Sequence, residues 1–251
     1  MTAGASLLSI ERLSRHFGAL AAVNDVSLSL AADERRAIIG PNGAGKTTLF
    51  NLITGQIGPS AGRIVFDGAV ITGLPSHAVA RRGISRSFQR TNLFAKLTVA
   101  ENLRLAAAAD GRGSYNLFGV GGARWRAQVE RAGAAAEAVG LTGRMEEPAG
   151  VLSYGEQRQL EVGVALATRP KLLLLDEPTA GMSPEETERL TRMLERLPRS
   201  VTLLIIEHDM DVVSSLADRV SVLHDGAVLT EGNFDEVKAD PRVYEVYLGS
   251  R

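Results

Sequence analysis

The first third of the chain carries the patterns of strands and tight turns. Apolar residues alternate with serines over residues 26–30, which is the period-two pattern of a half-buried strand. Asp67 and Gly68 stand between two short β-prone runs and predict a hairpin. A short strand is predicted at residues 35–40, where it leads into a glycine-rich turn, and the helix after that turn is expected to stop at Gly55.

From about Thr98 to Gly150 the pattern becomes helical. Residues 98–109 and 124–140 are rich in alanine and arginine with helical spacing, and a glycine-containing loop at residues 110–122 separates them. We interpret this part of the chain as a mostly helical insertion in an α/β framework.

The last third alternates predicted strands and helices. Residues 171–176 and 201–208 are apolar almost throughout, as in strands buried in a parallel sheet. An amphipathic helix is predicted over residues 184–197, with a proline suited to its first turn. A hairpin at residues 219–232 and a short closing helix at residues 241–249 are predicted to follow.

Composition and charge exclude several classes of protein. The 251 residues are 45% hydrophobic and 23% charged, as in an ordinary globular protein, and the net charge of −1 gives no bulk attraction to nucleic acid or anionic lipid. The absence of cysteine excludes disulfides and thiolate metal sites. No apolar stretch approaches the roughly 18 residues of a membrane-spanning helix, and the N-terminus is not expected to be a signal peptide. Any role at a membrane is therefore expected to come through a partner.

A phosphate-binding loop is the strongest chemical signal. The sequence GPNGAGKT matches G-x-x-x-x-G-K-[ST] and lies between a predicted strand and a predicted helix. Glycines let backbone N–H groups converge on phosphate oxygens, Lys46 reaches the β- and γ-phosphates, and the Thr47 hydroxyl ligates Mg²⁺. The sequence therefore predicts binding of a nucleoside triphosphate rather than a simple connecting turn. The candidate nucleotide-binding residues are Gly40, Pro41, Asn42, Gly43, Ala44, Gly45, Lys46, Thr47 and Thr48.

An acidic pair is expected to complete the metal site. Asp176 fits a second Mg²⁺ anchor acting through water, and Glu177 fits a general base that polarises the attacking water. Adjacent residues on an extended segment point to opposite faces, so the two carboxylates are expected to divide these roles. The alternative, that Asp-Glu-Pro only caps the next helix, is disfavoured by the nearby phosphate loop.

Gln89 and His208 close two further strand-like segments. Gln89 is a candidate to reach the metal or the attacking water, and His208 is a candidate to contact the γ-phosphate. A lone glutamine or histidine is ordinarily a satisfied surface residue. Their order relative to the other motifs is what favours a functional role.

Six motifs together resemble the nucleotide-binding subunit of ATP-binding cassette (ABC) transporters over nearly the whole chain. Other phosphate-loop ATPases lack a turn such as LSYGEQ just before the acidic strand. The resemblance implies that the chain binds ATP with Mg²⁺. In chain order the motifs are GPNGAGKTT from Gly40, Gln89, LSYGEQ from Leu152, LLLLDEP from Leu172, AGMS from Ala180, and His208.

The same resemblance implies the fold class. It is α/β, a P-loop NTPase of the ABC ATPase type, with a RecA-like core, an N-terminal antiparallel β subdomain and an inserted α-helical subdomain. Residues 1–251 would form a single nucleotide-binding domain. The core and β subdomain would occupy about residues 1–96 and 165–251, and the helical subdomain about residues 97–164.

In this family two such domains pack head to tail, which gives residues 153–157 a function. Ser153 and the backbone of Gly155, at a helix N-terminus, would bind the γ-phosphate of the partner's ATP. The alternative is an ordinary serine cap with Glu156 completing a capping box, and one serine could serve both purposes. The candidate residues of this signature turn are Ser153, Tyr154, Gly155, Glu156 and Gln157.

The chain departs from the family pattern at particular positions. Tyr154 stands where the signature usually has glycine, and Ser183 stands where the segment after the acidic strand usually ends in aspartate. The aromatic residue that stacks on adenine is usually tyrosine. Here Phe17 is the candidate, with His16 as a weaker one.

Several segments resemble the importer class for branched-chain amino acids and related amides. They include SFQRTNLFAKLTVAENL from Ser87, IEHDMDVV from Ile206 and the tail DPRVYEVYLG from Asp240. This resemblance implies two integral membrane permease subunits, an identical or paralogous second ATPase subunit, and indirectly an extracytoplasmic solute-binding protein. The subunit would lie at the cytoplasmic face of a bacterial or archaeal inner membrane, with residues 90–97 near the permease.

Other functions stay open at this point. Within the family, the solute could be urea or an aromatic acid, or the chain could serve a lipopolysaccharide exporter. A non-transport cassette protein usually carries two cassettes or a long coiled coil, neither of which is present here. A soluble metabolic kinase would lack the signature turn.

Overall fold

The structure is a computed structural model that describes residues 6–87, 93–109 and 122–248. Within these residues the strands are, in chain order, β1 (Ser6–Phe17), β2 (Leu20–Ala31), β3 (Arg35–Ile39), β4 (Ala61–Phe66), β5 (Ala69–Val70), β6 (Ile84–Arg86), β7 (Leu172–Asp176), β8 (Thr202–Ile206), β9 (Arg219–His224) and β10 (Ala227–Gly232). The α-helices are α1 (Lys46–Ile53), α2 (Ser76–Arg81), α3 (Val99–Ala108), α4 (Ala123–Ala138), α5 (Tyr154–Ala167), α6 (Pro184–Glu195), α7 (Met210–Leu216), α8 (Phe234–Ala239) and α9 (Pro241–Leu248). Short 3₁₀ turns lie at Thr142–Arg144 and Ala149–Val151.

The N-terminal strands form an antiparallel sheet in the order β2-β1-β4-β5. The alternating residues 26–30 lie within β2, where the apolar positions are buried and the serines exposed, as predicted. Asp67 and Gly68 connect β4 to β5 with φ values of 48° and 73°. Two consecutive positive φ angles are typical of a two-residue hairpin turn, so the predicted hairpin is confirmed.

The second sheet has the order β10-β9-β3-β8-β7-β6 and is parallel except for β10. Every residue of β3, β7 and β8 is buried, as expected of the apolar residues in these strands, but β3 also buries two charged residues, Arg35 and Arg36. The carboxyl ends of parallel strands meet at one edge of a sheet, where ligands of open α/β folds bind. The turn after β3, the end of β7 and the residues after β8 therefore share one edge.

The central sheet lies between two hydrophobic clusters. In β7, Leu172 and Leu174 face a cluster around α1 and the antiparallel sheet, whereas Leu173 and Leu175 face a cluster formed with α3, α4 and α5. This alternation is the period of a strand covered on both sides. Both faces of the sheet are thus held by apolar packing, which keeps the strand ends in place.

The predicted helical insertion is occupied by α3, α4 and α5, which pack on one another. Helix α5 continues to Ala167, past the expected limit at residue 164. The division of the chain into subdomains stays a prediction. Within the described parts of the chain, no helix combines the length and apolar character needed to cross a bilayer.

Replacing Leu160 by alanine tests the packing of α5. Leu160 is 0% exposed in the helical cluster, so Leu160→Ala is expected to lower the free energy of unfolding by about 2–5 kcal/mol through lost burial and a cavity. Leu105→Ala on α3, where the leucine is 49% exposed, serves as the control and should cost under about 1 kcal/mol. Urea unfolding of both variants measures the difference, and equal losses would contradict the packing.

Candidate functional site

The turn between β3 and α1 is built from backbone in close contact with its neighbours. Gly40 and Gly45 have φ values of 149° and 96°. A Cβ atom at Gly40 would overlap the carbonyl oxygen of Leu223, and one at Gly45 would overlap that of Ala22. Glycine is therefore required at both positions. Among the described residues no side chain caps α1, so its N-terminal amides remain free to bind an anion.

Lys46 lies inside this cradle. Its buried Nζ donates to the carbonyl oxygens of Gly40 and Pro41 at 2.7 and 2.9 Å. Burial lowers the pKa of the Lys46 ammonium, while the nearby charges of Glu177 and Asp176 raise it. The lysine is therefore held at the loop by carbonyl oxygens that a phosphate can replace. Of the two threonines that follow, Thr47 is exposed and Thr48 partly exposed.

Asp176 ends β7 as a buried carboxylate. Its Oδ2 accepts from Arg86 Nη2 at 2.5 Å, and Arg86 also donates to Asn51 Oδ1 in α1 at 2.6 Å. Burial raises the pKa of Asp176, against the opposing effect of Arg86. The other oxygen, Oδ1, is buried with no hydrogen-bond partner among the described residues. Arg86 lies on the three-residue strand β6 and was not among the predicted site residues.

A magnesium ion fits the chemistry of these residues. Mg²⁺ prefers oxygen ligands and keeps several of its waters, and a buried oxygen without a partner ordinarily has one in the working molecule. Asp176 Oδ1 offers such an oxygen, and the exposed Thr47 hydroxyl offers a second at the start of α1. The predicted third ligand, Gln89, lies outside the described residues.

Glu177 departs from the expected backbone. The strand alternation expected between Asp176 and Glu177 is wrong, because β7 ends at Asp176 and Glu177 has φ of 48°, in the left-handed region. The Glu177 N–H donates to the Ile206 carbonyl at 2.9 Å, which ties this bend to the end of β8. The two carboxylates are thus separated by a sharp bend of the chain. Glu177 remains partly exposed beside the cradle.

Glu207 holds the turn after Glu177 and was not among the predicted site residues. Its buried Oε1 accepts from the Thr179 hydroxyl and N–H at 2.6 and 3.2 Å, and its Oε2 accepts from the His208 N–H at 3.0 Å. A charged residue at the end of an apolar run was the available signal. The His208 side chain is 64% exposed at the same sheet edge.

The signature turn begins α5 with the predicted capping box. Ser153 Oγ accepts from the Glu156 N–H at 3.3 Å, and Glu156 Oε2 accepts from the Ser153 N–H at 2.9 Å, which lowers the pKa of Glu156. Gln157 Nε2 donates to the Leu152 carbonyl at 3.0 Å. Ser153 itself is exposed. Among the described residues no hydrogen bond or ion pair joins this turn to residues 40–48.

Phe17 ends β1 and is 46% exposed. The Arg15 guanidinium stands over its ring, 4.6 Å from the centre, and His16 is also exposed. The β1–β2 hairpin that carries Phe17 packs against the phosphate loop through the Ala22 carbonyl. The position suits a base-stacking residue, and the assignment of Phe17 stays a prediction.

The glycine-lined cradle at the start of α1, beside a buried acidic residue at the neighbouring strand ends, defines a phosphate-loop ATPase. Residues 23–180 match the family model described as ABC transporter. The chain belongs to the ABC transporter family.

Curated relatives are similar over nearly the whole chain. The high-affinity branched-chain amino acid transport ATP-binding protein BraF of Pseudomonas aeruginosa is 41% identical over 249 residues, covering 97% of this chain and 98% of BraF. The protein LivG of Escherichia coli, named in the same words, is 40% identical with the same coverage. The probable LivG of Archaeoglobus fulgidus is 36% identical, covering 98% of this chain and 96% of that protein.

Solved structures of ATP-binding cassettes share the fold. A nucleotide-free cassette from an ABC transporter superposes with a TM-score of 0.85 at 32% identity, covering 98% of this chain and all of that one. A dimeric cassette in a post-hydrolysis state with ADP and Pi superposes with a TM-score of 0.75 at 25% identity, covering 90% and 98% of the two chains. The predicted ABC fold and ATPase activity are thereby confirmed.

Removing Arg86 tests the buried charge at the site. Arg86→Met leaves the Asp176 carboxylate without its cation, and the expected loss is about 3–5 kcal/mol in the free energy of unfolding. The matched control is Arg192→Met, which removes an exposed ion pair with Glu188 and should cost under about 1 kcal/mol. Urea unfolding compares the two, and a similar small loss in both variants would contradict the buried pair.

Proposed function

We propose that this chain is the ATPase subunit of an importer for branched-chain amino acids or related small amides. The observation that carries the proposal is that the chain holds two halves of a nucleotide site, and that among the described residues no hydrogen bond or ion pair joins the signature turn to the phosphate loop. One half is the phosphate loop with Asp176 and Glu177, and the other is the exposed signature turn at the head of α5. The importer class and the solute follow from the similarity to BraF and LivG.

The residues of the first half have separate proposed roles in phosphate binding, metal binding and hydrolysis. The backbone N–H groups of the phosphate loop and the Lys46 ammonium would hold the phosphates, while Thr47, and Asp176 through water, would hold Mg²⁺. The metal, when bound, offsets charge on the terminal phosphates. Glu177 then accepts a proton from the attacking water, and His208 supports the γ-phosphate from the end of β8. Gln89 is proposed as a further contact to the metal or the water.

The second half serves the ATP of another subunit. Ser153 Oγ and the Gly155 N–H lie at the N-terminus of a 14-residue helix, where the helix dipole favours an anion. Two copies, or this chain and a paralogue, would face each other head to tail with ATP between them. The dimeric state of a similar solved cassette supports this arrangement. ATP adds contacts only in the closed dimer, so its binding favours closure and its hydrolysis favours opening.

Permease subunits are the proposed route by which closure reaches the membrane. Phe94 is 60% exposed, while Leu93 packs against the helical cluster. Asn102 of α3 fixes the backbone of Phe94, accepting from its N–H at 2.9 Å and donating to its carbonyl at 3.1 Å. An exposed aromatic ring on a fixed backbone suits a docking contact. The subunit would then lie at the cytoplasmic face of the membrane and act indirectly with an extracytoplasmic solute-binding protein.

The variant Glu177→Gln tests both hydrolysis and transport. Loss of a general base is expected to slow ATP hydrolysis by about 10²- to 10⁴-fold with ATP binding retained. In a strain lacking the gene, the unmodified chain should restore uptake of labelled leucine and Glu177→Gln should not. Normal turnover would remove Glu177 from this role, and restored uptake of labelled urea but not of leucine would replace the proposed solute.

The variant Ser153→Arg tests the shared site. In a Glu177→Gln background, the larger, positively charged arginine side chain should leave ATP binding by the monomer intact but prevent formation of the ATP-dependent dimer. Light scattering measures the dimer. Asn233→Arg is the matched control, because Asn233 caps α8 with the same kind of capping box. That control should dimerise with ATP. A dimer formed by the Ser153→Arg chain would show that the signature turn does not meet the partner's nucleotide.

A further inference from the structure

The signature turn is tied to the segment after Glu177 within the same chain. The Tyr154 hydroxyl donates to the carbonyl oxygen of Ala180 at 2.9 Å. Gly181 lies against the same side chain, since a Cβ atom there would be 3.5 Å from the hydroxyl. Residues 177–183, here called the acidic turn, therefore rest on the first residue of α5.

Arg158 fixes the direction of the Tyr154 hydroxyl. Its Nε and Nη2 atoms lie 3.1 and 2.8 Å from the tyrosine oxygen, and its guanidinium stands 5.2 Å from the ring centre. Arginine only donates hydrogen bonds, so the hydroxyl accepts from Arg158 and directs its own proton to Ala180. Glu161 holds Arg158 in turn at 2.9 Å.

The acidic turn needs support because its first residue is strained. A non-glycine residue at a φ of 48°, as in Glu177, costs on the order of 1 kcal/mol or more and persists only where its surroundings enforce it. On the buried side, Glu207 binds Thr179. On the exposed side, the Ala180 N–H donates to the Glu177 carbonyl at 3.1 Å, and the Ala180 carbonyl accepts from Tyr154.

Glu186 makes a second tie between the two turns. Its Oε1 accepts from the Gly155 N–H at 3.1 Å, and its Oε2 accepts from the Ser183 N–H at 3.0 Å. The Ser183 amide is also the main cause that lowers the pKa of Glu186. A phosphate bound at α5 would compete with Glu186 for the Gly155 amide. The Tyr154 tie joins a side-chain hydroxyl to the Ala180 carbonyl, and neither atom is among those proposed above to bind the nucleotide.

We propose that Tyr154 is a positioning residue for Glu177, acting through the Ala180 carbonyl to hold the acidic turn. The proposal rests on the function given above, in which the signature turn meets the partner's ATP. In the proposed dimer, Tyr154 of each signature turn would then position Glu177 of its own subunit, while the same turn contacts the ATP bound by the partner subunit. Tyr154 is 42% exposed, so burial of its ring does not explain the arrangement. A glycine at this position would have no group to reach Ala180.

The variant Tyr154→Phe removes only the hydroxyl and tests this proposal in the full chain. Without the hydrogen bond, exchange of the Ala180 and Met182 amides should accelerate by about three- to tenfold, as expected for a bond of about 1 kcal/mol. The kcat for ATP hydrolysis should fall by a similar factor, about three- to tenfold, because Glu177 is held less well. The dissociation constant for ATP should stay within about twofold, since the hydrogen bonds of the Tyr154 hydroxyl go to Ala180 and Arg158 and, among the described residues, none goes to the phosphate loop.

Tyr244→Phe is the matched control, because Tyr244 is an exposed tyrosine on α9. It should change neither exchange nor kcat, and thermal melting should show that both variants are folded. An unchanged kcat in Tyr154→Phe would overturn the proposal, and so would a lower kcat without faster exchange in the acidic turn. If instead the Glu177→Gln chain with Tyr154 intact fails to dimerise with ATP, both by itself and with the second ATPase subunit of its transporter, the proposed function fails, whereas the exchange result still reports on Tyr154.

Discussion

A carboxylate buried at the end of a central strand is the constraint on which the site depends. Asp176 is removed from water by the strand that carries it, and an unpaired charge there would be costly. Arg86 offsets the charge at one oxygen and also binds Asn51, which joins β6 and α1 to β7. The other oxygen has no partner among the described residues. Because it is buried, the Asp176 carboxylate costs free energy when no cation lies near it. For the same reason it binds a cation strongly.

The residue after this carboxylate turns the chain rather than extending it. A strand that continued in register would carry Glu177 on along the sheet, but the bend brings it back beside the cradle, where it influences Lys46. Such a bend is maintained from two sides, by Glu207 beneath and by Tyr154 above. The geometry of Glu177 is therefore a property of three segments that are far apart in the sequence.

Much of the fold and of the first half of the site could be predicted from local sequence. Uniform apolar runs predict buried strands, consecutive turn residues predict hairpins, and a serine three residues before a glutamate predicts the cap at Ser153. These features depend on residues close to one another in the chain. The partner of Arg86 lies 90 positions away and that of Gly155 lies 31 away, so no local pattern indicates either contact. The left-handed backbone of Glu177 likewise depends on β8 and α5.

The two departures from the family pattern meet at one junction. Tyr154 reaches the acidic turn with its hydroxyl, and Ser183 caps α6 in a box with Glu186, whose other oxygen binds the Gly155 amide. Both side chains thus make contacts inside the subunit at positions where the family usually has glycine and aspartate. Atoms committed to such contacts are less available to a partner. In the proposed dimer, contacts across the interface would then depend more on Ser153 and on the nucleotide itself.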